Sequence, residues 1–406
     1  MASAGTPHID LMDGEFYAGN PFPAFAWMRQ HAPVYYDEPN ATWGVTRYED
    51  VRAIGQDPQA FSNAGGSRPG IVLPFMIDMD APEHRRRRRL VSAGFTPQAV
   101  RERESRIRQV CDEIIDRVSE KGACDLVADI AAPLPLIMIA DMLGFDPKDW
   151  EQLLEWSDTM LMSQGSNDPD AITKATTAFV EWDTYVRDLI EQRRKAMSAD
   201  DLLGVLVQGE VDGDQLDDDS IVHEAILLLI GGDETSRHVI SGGMEALLRR
   251  PDQFDDLRRD RELLPGAVEE MLRWVTPIKN FQRRTTRDVE LHGETLREGQ
   301  NVLLLYPSAN RDENVFDDPE AFDIRRQPND HIAFGFGAHL CLGHRLARAE
   351  ITGMMHRILE RLPDIHLTSD DANPLRVSNF IVGFETLPVE FTPAAPVGEL
   401  GRAIRL

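Results

Sequence analysis

Cysteine is scarce in this chain, with three in 406 residues at positions 111, 124 and 341. None belongs to a Cys-x-x-Cys pair, which removes the usual spacing of a structural zinc site and of a disulfide framework. Such thiol usage points to a reducing compartment, so a cytoplasmic protein is expected. Cations are also in short supply. Lys plus Arg number 43 against 69 Asp plus Glu, and the formal charge of −26 repels nucleic-acid phosphates across the surface. No Gly-x-Gly-x-x-Gly stands between a strand and a helix, so the chain carries no flavin or nicotinamide fingerprint. Residues 1–20 are polar and acidic, without the pattern of a secretory signal. Long apolar runs are missing too: the longest, 225–230, stops at glycines and acids, and no membrane span is expected.

What is present reads as mostly helix. Amphipathic stretches predict helices over 15–30, 97–120, 126–142, 147–162, 172–197, 218–250, 252–261, 264–275 and 342–362. Strand-like pieces stand at 34–36 and 42–46 around a Pro-Asn-Ala turn, and again at 283–286, 289–292, 301–306 and 380–390. With 42% hydrophobic residues and no repeat or linker, the expectation is a mainly α fold with a small β part, one domain over 1–406. Architecture of that kind specifies no function by itself.

Chemistry concentrates in Phe334-Gly335-Phe336-Gly337-Ala338-His339-Leu340-Cys341-Leu342-Gly343, just before an amphipathic helix. Most lone cysteines are small buried hydrophobes, yet a merely packed cysteine needs neither these glycines nor His339. Glycines let the backbone turn sharply and approach a flat partner. A cysteine at a helix N-terminus meets unpaired amides and the positive end of the dipole, which favour its thiolate. The segment resembles the cysteine-ligand loop of the cytochrome P-450 superfamily, whose Phe-Gly-x-Gly-x-His-x-Cys-x-Gly is met at every fixed position.

A second motif lies in the stretch 218–250. Leu229-Ile230-Gly231-Gly232-Asp233-Glu234-Thr235 places two glycines inside a helix, at about 1 kcal/mol each relative to alanine. Gly231 and Thr235 share a face, so the Thr235 hydroxyl either bonds the Gly231 carbonyl or turns into an opened groove. This resembles the superfamily's central helix over the haem. By that resemblance Gly231 and Gly232 make room for dioxygen, Thr235 hydrogen-bonds the oxygen under activation, and Glu234 relays protons from solvent. Cys341 becomes the iron ligand, within a cofactor site that includes Phe334, His339 and Gly343.

Glu270-x-x-Arg273 is common by chance, but it resembles the superfamily's buried ion pair, completed here by Arg326 or Arg325. Asp78–His84 followed by arginines at 85–89 resembles the start of a haem-flanking helix, with Ala81 where the family often has proline. The resemblance implies that His84, Arg88, Arg283 and His339 meet the two haem propionates, since buried carboxylates need cationic partners. The other arginines of the run are expected to face outward. Arg85, Arg89, Arg345 and Arg348 then form either a solvated face or a basic patch for an acidic ferredoxin.

The implied function is a haem b monooxygenase that takes electrons from NAD(P)H through a separate reductase and ferredoxin, with dioxygen as co-substrate. Segments 61–66, 76–80, 230–235 and 265–273 resemble bacterial steroid side-chain hydroxylases acting on cholesterol or cholest-4-en-3-one. Wall candidates are Ile71, Val72, Leu73, Phe75, Met76, Leu227, Ile230, Gly231, Thr276, Ile278 and Phe380, although apolar residues are more often ordinary core. Fatty acids, terpenes or a polyketide need similar walls. A peroxygenase and a non-catalytic haem sensor are disfavoured by Glu234-Thr235, and a DNA-binding role for the arginine run by the net charge.

Overall fold

A 31-residue helix, Asp218–Leu248, about 46 Å long, runs through the centre of the computed structural model. The structure describes residues 8–162, 168–197, 199–211 and 213–398. The remaining positions, including parts of the 1–406 and 1–20 expectations, lie outside the described residues. The central helix starts where the Asp217 carboxylate accepts from the Ser220 amide, an N-cap that satisfies an otherwise orphaned donor. Most of its residues from Ile221 to Leu247 are buried, which a helix tolerates only when neighbours cover it all round.

Those neighbours are the helices Pro133–Leu143, Leu264–Val275, Pro169–Ala196, Trp150–Met162 and His344–Arg361, with Pro97–Asp116 packed against the last. A five-stranded sheet stands to one side, in the order Val34–Asp37, Thr42–Val45, Asn301–Leu305, Asn280–Thr285, Phe61–Ser62. Thr42–Val45 runs parallel to Asn301–Leu305 and the other pairs are antiparallel. Smaller sheets include His366–Leu367, Pro388–Glu390 and Ala123–Asp125. The mainly helical expectation holds.

Four local expectations need correction. The helix expected over 15–30 is two, Gly14–Ala18 and Phe22–His31, because Gly19-Asn20-Pro21 interrupts the pattern. The 126–142 stretch begins as a π-helical turn, Leu126–Ala131, and becomes α-helical at Pro133–Leu143. Leu126–Leu143 is also long and apolar enough to cross a membrane, contrary to the reading that no run approaches that length; 83% of it is buried in the protein core. Of the strand expected over 380–390, only Pro388–Glu390 forms. Its earlier part is a loop pinned by isolated bridges, Ile278 to Ile381 and Leu375 to Phe384.

The Glu270–Arg273 pair is fully buried, with Arg273 Nη2 to Glu270 Oε1 at 2.7 Å and Nε to Oε2 at 2.8 Å. Arg326 completes it at 3.1 Å, whereas Arg325 pairs with Asp256 at 3.0 Å. The backbone decides between them, since Arg326 also donates to the Asp317 and Ala321 carbonyls that curl around Glu270.

Two further carboxyls are buried with only a serine each. Ser157 donates to Asp233 at 3.2 Å and Ser236 donates to Glu350 at 3.1 Å. Burial pushes both up to about 8, from ordinary values of 3.8 and 4.5. A carboxyl whose folded pKa is raised contributes stability that is complete below its unfolded pKa and lost as pH rises through the folded one. The share of the melting temperature that these two carboxyls contribute should therefore fall from pH 5 to pH 9. Asp233→Asn with Glu350→Gln should flatten that fall, and an unchanged slope in the double variant refutes the assignment.

Candidate active site

The cysteine loop is folded back on itself: the Cys341 amide donates to the Phe334 carbonyl at 2.9 Å. Gly335 and Gly337 take φ of +70° and +74°, and a Cβ at Gly337 would lie 2.1 Å from the Gly55 carbonyl. Only glycine permits that turn against the helix Tyr48–Gln56. The helix His344–Arg361 starts after an N-cap at Gly343, so Cys341 sits two residues ahead of the cap. The expectation of a thiolate favoured by this position alone is corrected. Burial pushes the Cys341 thiol up, and the Gly343 and His344 amides with the Arg88 and Arg348 guanidiniums pull only partly the other way. An anionic sulfur here requires a further positive charge beside it.

Cationic side chains converge on this loop. The rings of His84 and His339 stack with centroids 3.9 Å apart, and Arg88 Nη2 donates to the Leu340 carbonyl at 2.6 Å. Arg283 is 4% exposed and donates to the adjacent Gln282 carbonyl at 2.8 Å. Among the described residues, none of these four makes an ion pair with a carboxylate. Burial, then mutual repulsion with Arg88 and its neighbours, holds His84 down to about 4 and His339 down to about 2. Arg88 and Arg283 are lowered too, burial being the main cause. Asp78 and Asp80 offset Arg283 only from a distance, and two buried arginines without an ion pair are costly unless an anion joins them.

On the central helix the accessible positions between Val222 and Met244 are His223, Leu227, Ile230, Gly231, Gly232 and Thr235. A Cβ at Gly231 would meet nothing within 4 Å, whereas one at Gly232 would strike Ile139 at 2.8 Å. The two glycines therefore differ: Gly231 faces open space and Gly232 allows close packing on the helix Pro133–Leu143. Thr235 bonds the Gly231 carbonyl at 3.2 Å, the first of the two orientations open to it.

Glu234 is fully buried. Arg237 pairs with it, Arg376 reaches it at 3.1 Å, and His238 Nε2 stands 3.2 Å away. Burial alone would raise Glu234, but the His238 ring, Arg237 and a proton shared from Asp158 hold it well below the carboxylate range. Asp158 is raised by burial and by that same shared proton, and Arg237 and Arg376 bridge to it at 2.9 and 3.3 Å. Asp158 is 30% exposed, so the proton rests on the solvent-side member of the pair. Sequence reasoning missed Asp158 and Arg376, which lie far from Glu234 in the chain. It missed Arg237 and His238 too, although their spacing three and four residues after Glu234 is a signal that finds them.

The wall candidates divide. Phe75, Leu227 and Ile230 are partly buried against the main core and Met76 is buried. Ile71 bridges to Arg68, Leu73 donates its amide to Asp78 at 2.9 Å, and Ile278 bridges to Ile381. The Phe380 ring stands on Phe281 at 5.4 Å, with the Arg68 guanidinium 4.3 Å above it. Val72 is 62% exposed and points away. Thr276 is buried, its hydroxyl donating to the Arg273 carbonyl at 2.8 Å and accepting from Asn310 at 2.9 Å, so it is committed to ending a helix.

The cytochrome P450 family model matches residues 34–381. The chain belongs to the cytochrome P450 family. Over 398 residues it is 50% identical to the steroid C26-monooxygenase of Mycobacterium tuberculosis, across 97% of this chain and 99% of that one. It is 37% identical over 393 residues to the methyl-branched lipid omega-hydroxylase of Mycobacterium bovis, covering 91% and 90%. A Bacillus megaterium P450 solved with testosterone superposes with a TM-score of 0.85 at 34% identity, covering 93% and 99%.

Membership of the P450 family implies haem. On the cysteine side of this P450 lies a basin of about 410 Å³, lined by His331, Phe336, Leu340, His344, Arg345 and Arg348. Arg85, Arg89 and Arg345 are exposed. Arg348, expected in a free patch, is instead held by both Glu269 oxygens at 2.6 and 2.8 Å. The outward expectation for the rest of the run is corrected at Arg87, which pairs with the buried Glu224 at 3.0 Å, whereas Arg86 pairs at the surface with the exposed Asp214. If Cys341 is the metal ligand of this P450, Cys341→Ser abolishes the red-shifted carbon-monoxide band of the reduced protein. An unchanged band in that variant means another ligand.

Proposed function

We propose that this P450 is a haem b monooxygenase that oxidises the terminal side-chain carbon of a sterol such as cholesterol or cholest-4-en-3-one. The observation that carries the substrate class is the 50% identity, over nearly the whole of both chains, to a steroid C26-monooxygenase. A long apolar molecule enters tail first, along the accessible side of the central helix. Leu227 and Ile230 offer it apolar contact and Gly231 leaves room at its end. A methyl-branched lipid is the second reading, supported by the 37% identity to an omega-hydroxylase.

The residues present fit haem. Cys341 is the iron ligand; burial disfavours its thiolate more than Arg88 and Arg348 favour it, so a metal cation beside the sulfur supplies what they do not. His84, Arg88, Arg283 and His339 hold the two propionates, which supply the absent counter-charge. Phe334 and Gly343 frame the sulfur from either side of the loop. When bound, haem supplies dioxygen activation, with the thiolate favouring O–O cleavage.

The chain's own part is positioning and proton delivery. Gly231 keeps the reacting space free of a side chain, and the Thr235 hydroxyl stands at its edge. Protons must cross an otherwise apolar region, and Asp158 with Glu234 offers a path from solvent. Glu234 is pinned by Arg237 and Arg376, so delivery requires one arginine to let go. Arg376, 18% exposed against 4% for Arg237, is the freer of the two. Electrons arrive from NAD(P)H through a separate reductase and a ferredoxin docking over the basin near Arg345, with Arg85 and Arg89 steering an acidic partner. A cytoplasmic location accords with three free cysteines.

A panel of cholestenone, cholesterol and long or branched fatty acids, scored by the spin-state shift of the ferric protein, tests the substrate class. The sterols should give the larger shift at the lower concentration; preference for the fatty acids overturns the sterol reading. Thr235→Ala should bind haem and sterol as the parent does, while product per electron falls about tenfold or more and hydrogen peroxide rises. Tightly coupled turnover in that variant removes Thr235 from the mechanism.

A further inference from the structure

One residue of the five-arginine run turns inward and ties its own helix to two other segments at once. Arg87 lies on the helix Glu83–Ser92. Its Nη1 donates to the Pro74 carbonyl at 3.1 Å and to Glu224 Oε1 at 3.0 Å, and its Nη2 donates to Ser220 Oγ at 3.2 Å. Glu224 Oε1 also accepts from the Met76 amide at 2.9 Å. One ion pair thus grips the backbone at Pro74 and at Met76, from opposite polarities. The residues held this way, Leu73 to Met76, are the candidate wall ahead of the haem-flanking helix.

The pair is buried, Glu224 at 0% and Arg87 at 12% exposure. Glu224 Oε2 has no hydrogen-bond partner, so Oε1 carries the whole task. Glu224 stands seven residues before Gly231, two turns or about 10 Å along the same face of the central helix. Beside it, the Phe75 ring packs on His223 at 5.9 Å, and His223 packs on Phe179 at 5.4 Å. On the outer side, Arg87, Glu83, Arg86, Asp214 and Ser220 line a cleft of about 290 Å³. The clamp thus separates that cleft from the interior.

We propose that Arg87 and Glu224 are positioning residues that fix the Leu73–Met76 wall and thereby set which carbon of the substrate reaches the space beside Gly231 and Thr235. The inference rests on the proposed substrate reading, in which a flexible tail runs past this wall. A flexible apolar chain presents neighbouring carbons of nearly equal affinity, because one methylene in an apolar pocket discriminates only about 10- to 200-fold. A wall held by a charged pair limits the slack that would otherwise let internal carbons compete. Glu224→Gln keeps an acceptor for the Met76 amide and loses the charge; Glu224→Ala loses both; Arg87→Lys keeps charge without the fork geometry.

The test uses the holoprotein and two readouts. Deuterium uptake in peptides spanning 71–79 should quicken about tenfold or more in Glu224→Ala and less in Glu224→Gln. The ratio of terminal to internal cholestenone oxidation should fall about tenfold in the same order, while total turnover changes less. Quickened uptake with an unchanged product ratio overturns the specificity role, and unchanged uptake overturns the clamp. If Glu224→Ala yields no holoprotein, Glu224→Gln and Arg87→Lys decide by the same criteria. If the parent protein does not oxidise cholestenone, the sterol reading fails by itself. The clamp is then judged by uptake and by the terminal preference on a methyl-branched fatty acid.

Discussion

Two arginines, Arg88 and Arg283, that make no ion pair among the described residues, set close to a buried sulfur, are the constraint on which this molecule turns. Burial lowers both arginines, while burial and the neighbouring cationic groups hold His84 and His339 neutral. Cys341, two residues from His339, has the opposite problem: burial raises its thiol, and the Arg88 and Arg348 guanidiniums bring it down only in part. A single group carrying both a metal cation and peripheral carboxylates answers both needs at once. Neither an apolar ligand nor a simple anion does so. The same charges make the region a poor candidate for tight folding without its ligand.

The central helix separates two kinds of acid. Glu234 is kept ionised by arginines and by a proton lent from Asp158, which leads outward to solvent. Asp233, its neighbour in sequence, takes a hydrogen bond from Ser157 instead of an arginine, and burial holds it and Glu350 protonated near neutrality. Adjacent residues on a helix point about 100° apart, and here that rotation divides a solvent-linked carboxylate from a buried neutral one. Gly231 and Gly232 split in the same manner, one opening a space and one closing a helix–helix contact.

Much of this was legible in the sequence because short motifs carry fixed geometry. The Phe334–Gly343 pattern located the sulfur and its turn, and the i, i+4 spacing of Gly231 and Thr235 placed them on one face. Glu270 and Arg273 were readable for the same reason, and the choice of Arg326 over Arg325 needed the backbone carbonyls that only the folded loop supplies. Long-range charge pairing was not legible. Arg376 meets Glu234 across 142 positions and Arg87 meets Glu224 across 137, so the arginine run apart from Arg88 read as a surface although Arg87 is tied inward. Thr276 misled for a different reason: a small residue beside an apolar stretch resembles a pocket wall, yet its hydroxyl was already committed to capping. The apolar stretch at Leu126–Leu143 escaped notice because two prolines and two aspartates interrupt it, while the fold buries it as core.

The most direct test of the central claim is the iron K-edge X-ray absorption of the purified ferric protein. The account predicts one haem per chain with a single sulfur scatterer in the first coordination shell. A protein that takes up no haem, or whose iron has only nitrogen and oxygen neighbours, contradicts it.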